Sequence, residues 1–184
     1  MSASGSTPER QGRGALTPTF SAPHLLTAVH ILDGFSSGEP VLDDWLKKRA
    51  LKNNDIDASR TFVVTLEQDV VAYFAMTVGE ISHSAATGAL RRNMPDPIPV
   101  TVLARLAVHE NWHGHGLGRS LLREAVVRSL QVSANAAIKA IVVHALHERA
   151  RGFYEGFGFQ RSRLDEMTLM APLKGLSTAL GLQN

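Results

Sequence analysis

The feature that most constrains this chain is the immediate succession of a strand, a glycine-rich turn, an amphipathic helix and a second apolar strand. Pro99 to Val108 (PVTVLARLAV) has strand composition, and His113-Gly114-His115-Gly116-Leu117-Gly118-Arg119 supplies the turn. Gly118 to Leu130 then sets Leu121, Leu122, Ala125, Val126 and Leu130 on one helical face. Ile138 to Ala145 (IKAIVVHA) is almost continuously apolar, as a strand buried on both faces must be. Strand, helix and buried strand predict a parallel crossover, hence a mixed α/β (α+β) fold.

The flanking segments extend this pattern. Glu39 to Lys52 carries a helical stripe of Leu42, Trp45, Leu46 and Ala50, with Pro40 suited to the first turn and Asp43 and Asp44 near the positive end. Lys47, Lys48, Arg49 and Lys52 crowd its other end. Thr61 to Leu66 and Val70 to Val78 read as a hairpin around a short polar break. Ile81 to Pro97 reads as a loop exposing Arg91 and Arg92. Glu148 to Glu155 predicts a short helix closed by Gly156, and Glu166 to Ala171 a last strand. Residues 1–17 are expected to be a flexible tail, 18–173 the folded domain and 174–184 a C-terminal tail.

At 184 residues the chain is expected to be one domain, and 44% hydrophobic with 20% charged residues excludes global disorder. The absence of cysteine removes disulfide frameworks, thiolate metal sites and a cysteine nucleophile together. A net charge of +2 argues against a whole-chain nucleic-acid tether and leaves local basic patches. No apolar run approaches about 18 residues, so the expectation is a cytoplasmic protein without a membrane span.

The glycine turn has two readings: a tight connection, or a cradle whose converging N–H groups hold a phosphate or pyrophosphate at a helix N-terminus. Arg119 at the helix start favours the anion. A Walker loop and the dinucleotide fingerprint are excluded by spacing. His109-Glu110-Asn111-Trp112-His113 matches the zinc motif H-E-x-x-H, but the following glycines disfavour the continuous helix that motif needs, so no metal is expected. Tyr154, in Arg151-Gly152-Phe153-Tyr154-Glu155-Gly156-Phe157-Gly158-Phe159, is either a core residue or a catalytic one. Glu110, His109 and Glu80 are general-base candidates by type alone.

Taken together, Leu103 to Val108, the HGHGLG turn, the apolar strand to Ala145 and FYEGFGF resemble the GNAT superfamily of N-acetyltransferases, over roughly Leu25 to Leu173. The resemblance implies a mixed sheet of about six to seven strands with flanking helices, and a pyrophosphate-binding turn between the fourth strand and the helix after it. It implies acetyl-CoA as co-substrate, held by backbone groups of Leu106, Ala107 and Val108 and by the turn from His113 through Gly114, His115, Gly116, Leu117 and Gly118 to Arg119. Two positions depart from the family pattern: His113 stands for the usual Gln or Arg, and Ala145 occupies a strand end where relatives often carry a cofactor-binding Asn. Tyr154 takes the place of the family's proton donor to the CoA sulfur.

More narrowly, Phe35 to Gly38 through Leu42 to Leu46, Arg60 to Val64, Arg91 to Pro95 and Leu106 to Val108 are similar to the toxins of GNAT-type toxin–antitoxin pairs. That subfamily acetylates the α-amine of aminoacyl-tRNA and stops translation. The resemblance implies a homodimer, a ribbon-helix-helix antitoxin, and contact with operator DNA only through the toxin–antitoxin complex. Lys47, Lys48, Arg49, Lys52, Arg91 and Arg92 are then the candidates for tRNA phosphates. The alternatives are an N-acetyltransferase for a small amine, peptide or protein, and a silent acetyl-CoA-binding module.

Overall fold

In the computed structural model, which describes residues 18–182, seven strands form one sheet. They are β1 (His24–Leu25), β2 (Arg60–Leu66), β3 (Asp69–Ile81), β4 (Ile98–Val108), β5 (Ala140–His144), β6 (Gln160–Arg161) and β7 (Thr168–Pro172). The spatial order is β1-β2-β3-β4-β5-β7-β6, and every neighbouring pair is antiparallel except β4 and β5. The expected crossover is therefore present, and the expected tail over residues 1–17 lies outside the described residues.

Strand alternation sorts the core onto two faces. On one, Phe74, Leu103, Ile141, Val143, Leu169 and Ala171 meet Leu121, Leu122, Ala125 and Val126 of helix α4 (Leu117–Ser133). On the other, Val63, Val70, Tyr73 and Ala107 lie under Leu46 and Ala50 of a helical run. That run comprises α1 (Pro40–Trp45), a π-helical turn (Leu46–Ala50) and α2 (Leu51–Asp55). Farther along the same face, Ile98, Val100, Ala140, Val142 and Met170 bury Leu90 of α3 (Gly88–Arg91). The wide turn keeps Leu46, Ala50 and Asn54 inward at four-residue spacing, and Lys47, Lys48, Arg49 and Lys52 are left outward.

The feature that shapes the site is the parting of β4 from β5. The two strands pair only from Val100↔Ala140 to Leu103↔Val143, whereas β4 continues beside β3 as far as Val108. The register between β3 and β4 jumps from Met76↔Leu103 to Ala75↔Arg105, so Ala104 is an extra residue in a bulge at the point of departure. A bulge bends its strand and increases local twist. Beyond it β4 has a free edge, and α4 and α5 (Glu148–Glu155) bound the opening.

Two expectations need correction. Residues 174–184 do not begin as a tail: α6 (Leu173–Ala179) packs Leu173, Leu176 and Leu180 into the main core, so the folded domain runs beyond residue 173. The segment was misread because its stripe is short and interrupted by Gly175. Arg91 is half-buried rather than exposed, since Leu90 beside it is drawn into the core; Arg92 is exposed. Leu130, half-buried near the end of α4, packs against the main core as expected. Replacing Leu176, 1% exposed, by alanine should destabilise the protein by roughly 2–5 kcal/mol in urea unfolding, the cost of a core cavity; a solvated tail would give no change.

Candidate active site

The opening between the free β4 edge and α5 is a cavity of about 470 Å³. His109 N–H donates to Val71 O across the β3 side, so alternation turns the N–H and C=O of Leu106 and the N–H of Val108 toward the cavity. Two neighbouring carbonyls on that edge are already engaged. Arg105 Nη1 donates to Ala104 O at 2.6 Å, and His113 Nε2 to Val108 O at 2.8 Å. Leu106, Ala107 and Val108 all line the cavity, with Ala150, Phe153 and Tyr154 among the residues of the opposite wall.

At one end the glycine turn enters α4. Gly114 and Gly116 have φ of +78° and +79°, values that side chains resist, and Gly116 is the N-cap. The first backbone bond into the helix is Ser120 N–H to Gly116 O, which leaves the N–H groups of Leu117, Gly118 and Arg119 free at the positive end. Gly118 faces the Phe153 ring, and a Cβ there would lie at ordinary contact distance, 3.7 Å. The Arg119 guanidinium sits 5.2 Å over the Phe157 ring and reaches the cavity wall. This anion cradle and the unpaired strand edge fit a long phosphate-bearing ligand.

His113, Gly114, Gly116, Leu117, Gly118 and Arg119 line the cavity, but His115 does not. Its ring bonds His113 O at 3.0 Å and packs edge-on against Trp112. Ala145 is also outside the lining: its side chain is buried in the core and its N–H donates to Met167 O at 2.8 Å. His109 and His113 are separated by a single 3-10 turn (Glu110–Trp112) rather than set on an α-helix. His109 Nε2 engages Gly34 O at 3.1 Å, so the two imidazoles are committed to different carbonyls.

Of the three general-base candidates none lines the cavity; Glu110 instead accepts from Ser36 Oγ at 2.9 Å. The sequence reading missed Glu39 and His147, which do line it and are bonded to each other at 2.9 Å. They lie 108 residues apart, and no local spacing signals such a pair. The six candidate phosphate-binding cations lie outside the cavity. Lys47, Lys48, Arg49, Lys52 and Arg92 are exposed, Lys48 pairs with Asp44 at 3.0 Å, and the half-buried Arg91 has no partner for its Nε.

The chain's two tyrosines differ in what their hydroxyls meet. Tyr73 donates its hydroxyl to Leu42 O at 2.8 Å beneath the stacked Trp45 ring. Tyr154 is only 7% exposed, and its hydroxyl has no hydrogen-bond partner among the described residues while its side chain lines the cavity. Buried phenols ordinarily find a partner. Burial pushes the Tyr154 phenol well above its ordinary value, so it stays protonated at the cavity wall.

Comparison with known proteins agrees with this geometry. Residues 57–161 match the family described as Acetyltransferase (GNAT) domain. The chain belongs to this family. It is accordingly an acetyl-CoA-dependent N-acetyltransferase. A tRNA-acetylating toxin of Mycobacterium tuberculosis (strain ATCC 25618 / H37Rv) is 44% identical over 162 residues, covering 88% of this chain and 98% of the relative. Among solved structures, AtaT complexed with acetyl-methionyl-tRNAfMet shares the fold with a TM-score of 0.80 at 24% identity, covering 87% of this chain and 98% of that one. A mutant AtaT bound to the C-terminus of the antitoxin AtaR and acetyl-CoA does so with a TM-score of 0.76 at 24% identity, covering 90% and 99%.

Two measurements follow from the site of this GNAT enzyme. Gly116→Ala meets no neighbouring atom, so its whole cost is the positive φ, and the protein should lose about 1–2 kcal/mol of stability in urea unfolding. Burial raises both tyrosines, Tyr73 also against the opposing pull of Arg105, so tyrosinate absorbance should not develop below about pH 10 while the protein is folded. The folded state holds these protons more tightly than the unfolded chain. The tyrosines therefore contribute full stability below about pH 10, and this contribution is lost as the pH rises beyond it.

Proposed function

We propose that this acetyltransferase modifies the α-amine of aminoacyl-tRNA, so that the charged tRNA no longer serves translation, and that an antitoxin of ribbon-helix-helix type restrains it. The single observation that carries this reading is the 44% identity to a tRNA-acetylating toxin across nearly the whole of both chains. The substrates place the reaction in the cytoplasm, and no helix among the described residues is long and apolar enough to cross a membrane. A homodimer, with operator DNA reached through the antitoxin complex, completes the reading.

Bound acetyl-CoA supplies an activated acetyl thioester. The free N–H groups of Leu117, Gly118 and Arg119, with the Arg119 guanidinium, would hold its pyrophosphate. The outward N–H and C=O of Leu106 would hold the amide-bearing arm as an added strand would be held. Tyr154 keeps a transferable proton at Oη, poised for the departing sulfur, beside the apolar walls of Leu103, Leu106 and Phe153. An α-amine with an ordinary value near 8 is partly neutral at pH 7 without a strong base. The cations of the α1–α2 run and of the α3 loop lie over the same sheet face, which suits one extended polyanion.

Labelled acetyl should pass from acetyl-CoA to charged and not to uncharged tRNA, and Tyr154→Phe should lower the rate about 10²–10⁴-fold while acetyl-CoA affinity is kept. Transfer only to small amines would overturn the tRNA substrate. Reversing Lys47, Arg49 and Lys52 to glutamate should weaken tRNA binding and flatten its dependence on salt, with acetyl-CoA binding unchanged; an unaltered salt slope would remove these residues from the interface.

A further inference from the structure

The cavity wall is cationic at both ends, with Arg105, Arg119 and Arg149, as a site for two phosphate-rich substrates should be. Against that background it contains one carboxylate among the described residues, Glu39, at the N-cap of α1. A carboxylate repels phosphate, so its presence calls for a cationic partner on the ligand.

Its position is built from both sides. Ser37 Oγ donates to Asp43 Oδ1 at 2.6 Å and Ser37 N–H to the same oxygen at 2.9 Å, while Glu39 N–H donates to Ser37 Oγ at 3.3 Å. These bonds fix the backbone at Glu39. Its side chain is held by His147, the N-cap of α5. His147 Nδ1 accepts from Ala150 N–H at 3.1 Å, and with that nitrogen occupied as an acceptor the proton of the neutral ring sits on Nε2. Nε2 donates to Glu39 Oε1 at 2.9 Å, and Oε2 has no partner among the described residues. Both side chains remain about 40% exposed, so a ligand can reach them.

The same helix carries the phenol. His147, the extended N-cap of α5, and Tyr154, in its last turn, both line the cavity on one face of that helix. Side chains of a helix lean toward its N-terminus, which tilts the Tyr154 hydroxyl toward the Glu39–His147 bridge. Between them on that face stands Ala150, a small residue that also lines the cavity. A space bounded by a phenol donor at one end and a carboxylate at the other is the room an acceptor amine needs.

We propose that Glu39 is the residue that receives the α-ammonium of the acceptor, and that His147 is the positioning residue that holds its carboxylate in place; the inference rests on the aminoacyl-tRNA reading above. Glu39 then distinguishes charged from uncharged tRNA, because a free 3′ hydroxyl brings no cation. It also distinguishes substrate from product, because the acetylated amine is a neutral amide and loses the ion pair on leaving.

The test compares three ligands by equilibrium binding at about pH 6, where ammonium and carboxylate are both charged: aminoacyl-tRNA, the same tRNA deaminated to its hydroxyacyl ester, and its N-acetylated form. The wild type should prefer the amine about tenfold over either of the others, the size of a hydrogen bond to a charged group. Glu39→Gln should bind all three alike, with acetyl-CoA affinity unchanged. His147→Asn, which keeps an oxygen to cap α5 but does not reach as far, should lose part of the preference and raise KM with little change in kcat. A Gln variant that retains the full preference, or a wild type that acetylates charged tRNA yet shows no preference, overturns the role of Glu39 alone. A wild type that acetylates no charged tRNA overturns the underlying reading, and this inference with it.

Discussion

Everything chemical in this protein depends on one interrupted strand pairing. β4 and β5 are hydrogen-bonded as far as Leu103 and Val143, and the bulge at Ala104 then carries β4 away. Buried backbone groups are rarely left unpaired, so an interior strand edge of this kind is a binding surface in waiting. The separation also decides where the helices sit. α4 starts at the end of the freed strand with its first N–H groups directed at the opening, and α5 closes the other side with Tyr154. Continuous pairing along β4 would leave no cavity, no exposed cradle and no place for a phenol without a partner.

The electrostatic character of the site follows from what it must hold. Backbone N–H groups and Arg119 make one positive region, and the outward lysines and arginines over the opposite sheet face make another. Within that positive setting the Glu39–His147 bridge brings the one carboxylate of the cavity wall among the described residues, and the Tyr154 hydroxyl has no partner among them. The contrast with Tyr73 shows why exposure alone is a poor guide. Both phenols are buried, and only their hydrogen bonds separate the one that supports α1 from the one left without a partner among the described residues.

Local features were legible in the sequence wherever a short stretch carries its own physical constraint. The hairpin of β2 and β3, the strand before the glycine turn, the stripe of α4 and the apolar β5 are each written in periodicity over a few residues. Gly114 and Gly116 advertise positive φ, and both have it. The readings that failed lacked such a signal. α6 is seven residues long and contains Gly175, so its burial comes from the sheet beneath it and not from its own pattern. Ala145 sits one residue past β5 and turns into the core, a matter of side-chain direction that one-dimensional spacing does not resolve. Arg91 is drawn inward by the neighbouring Leu90.

By itself, then, the sequence determined the mixed fold class, the succession of elements around the glycine turn, and Tyr154 as a candidate donor, because periodicity and backbone permissiveness act over a few residues. Only the tertiary structure decided that Tyr154 rather than Tyr73 has a free hydroxyl, that β4 exposes its edge after Leu103, and that Glu39 meets His147. Those are contacts between segments far apart in the chain, and their geometry is set by how two faces of one sheet are packed, which no single segment encodes.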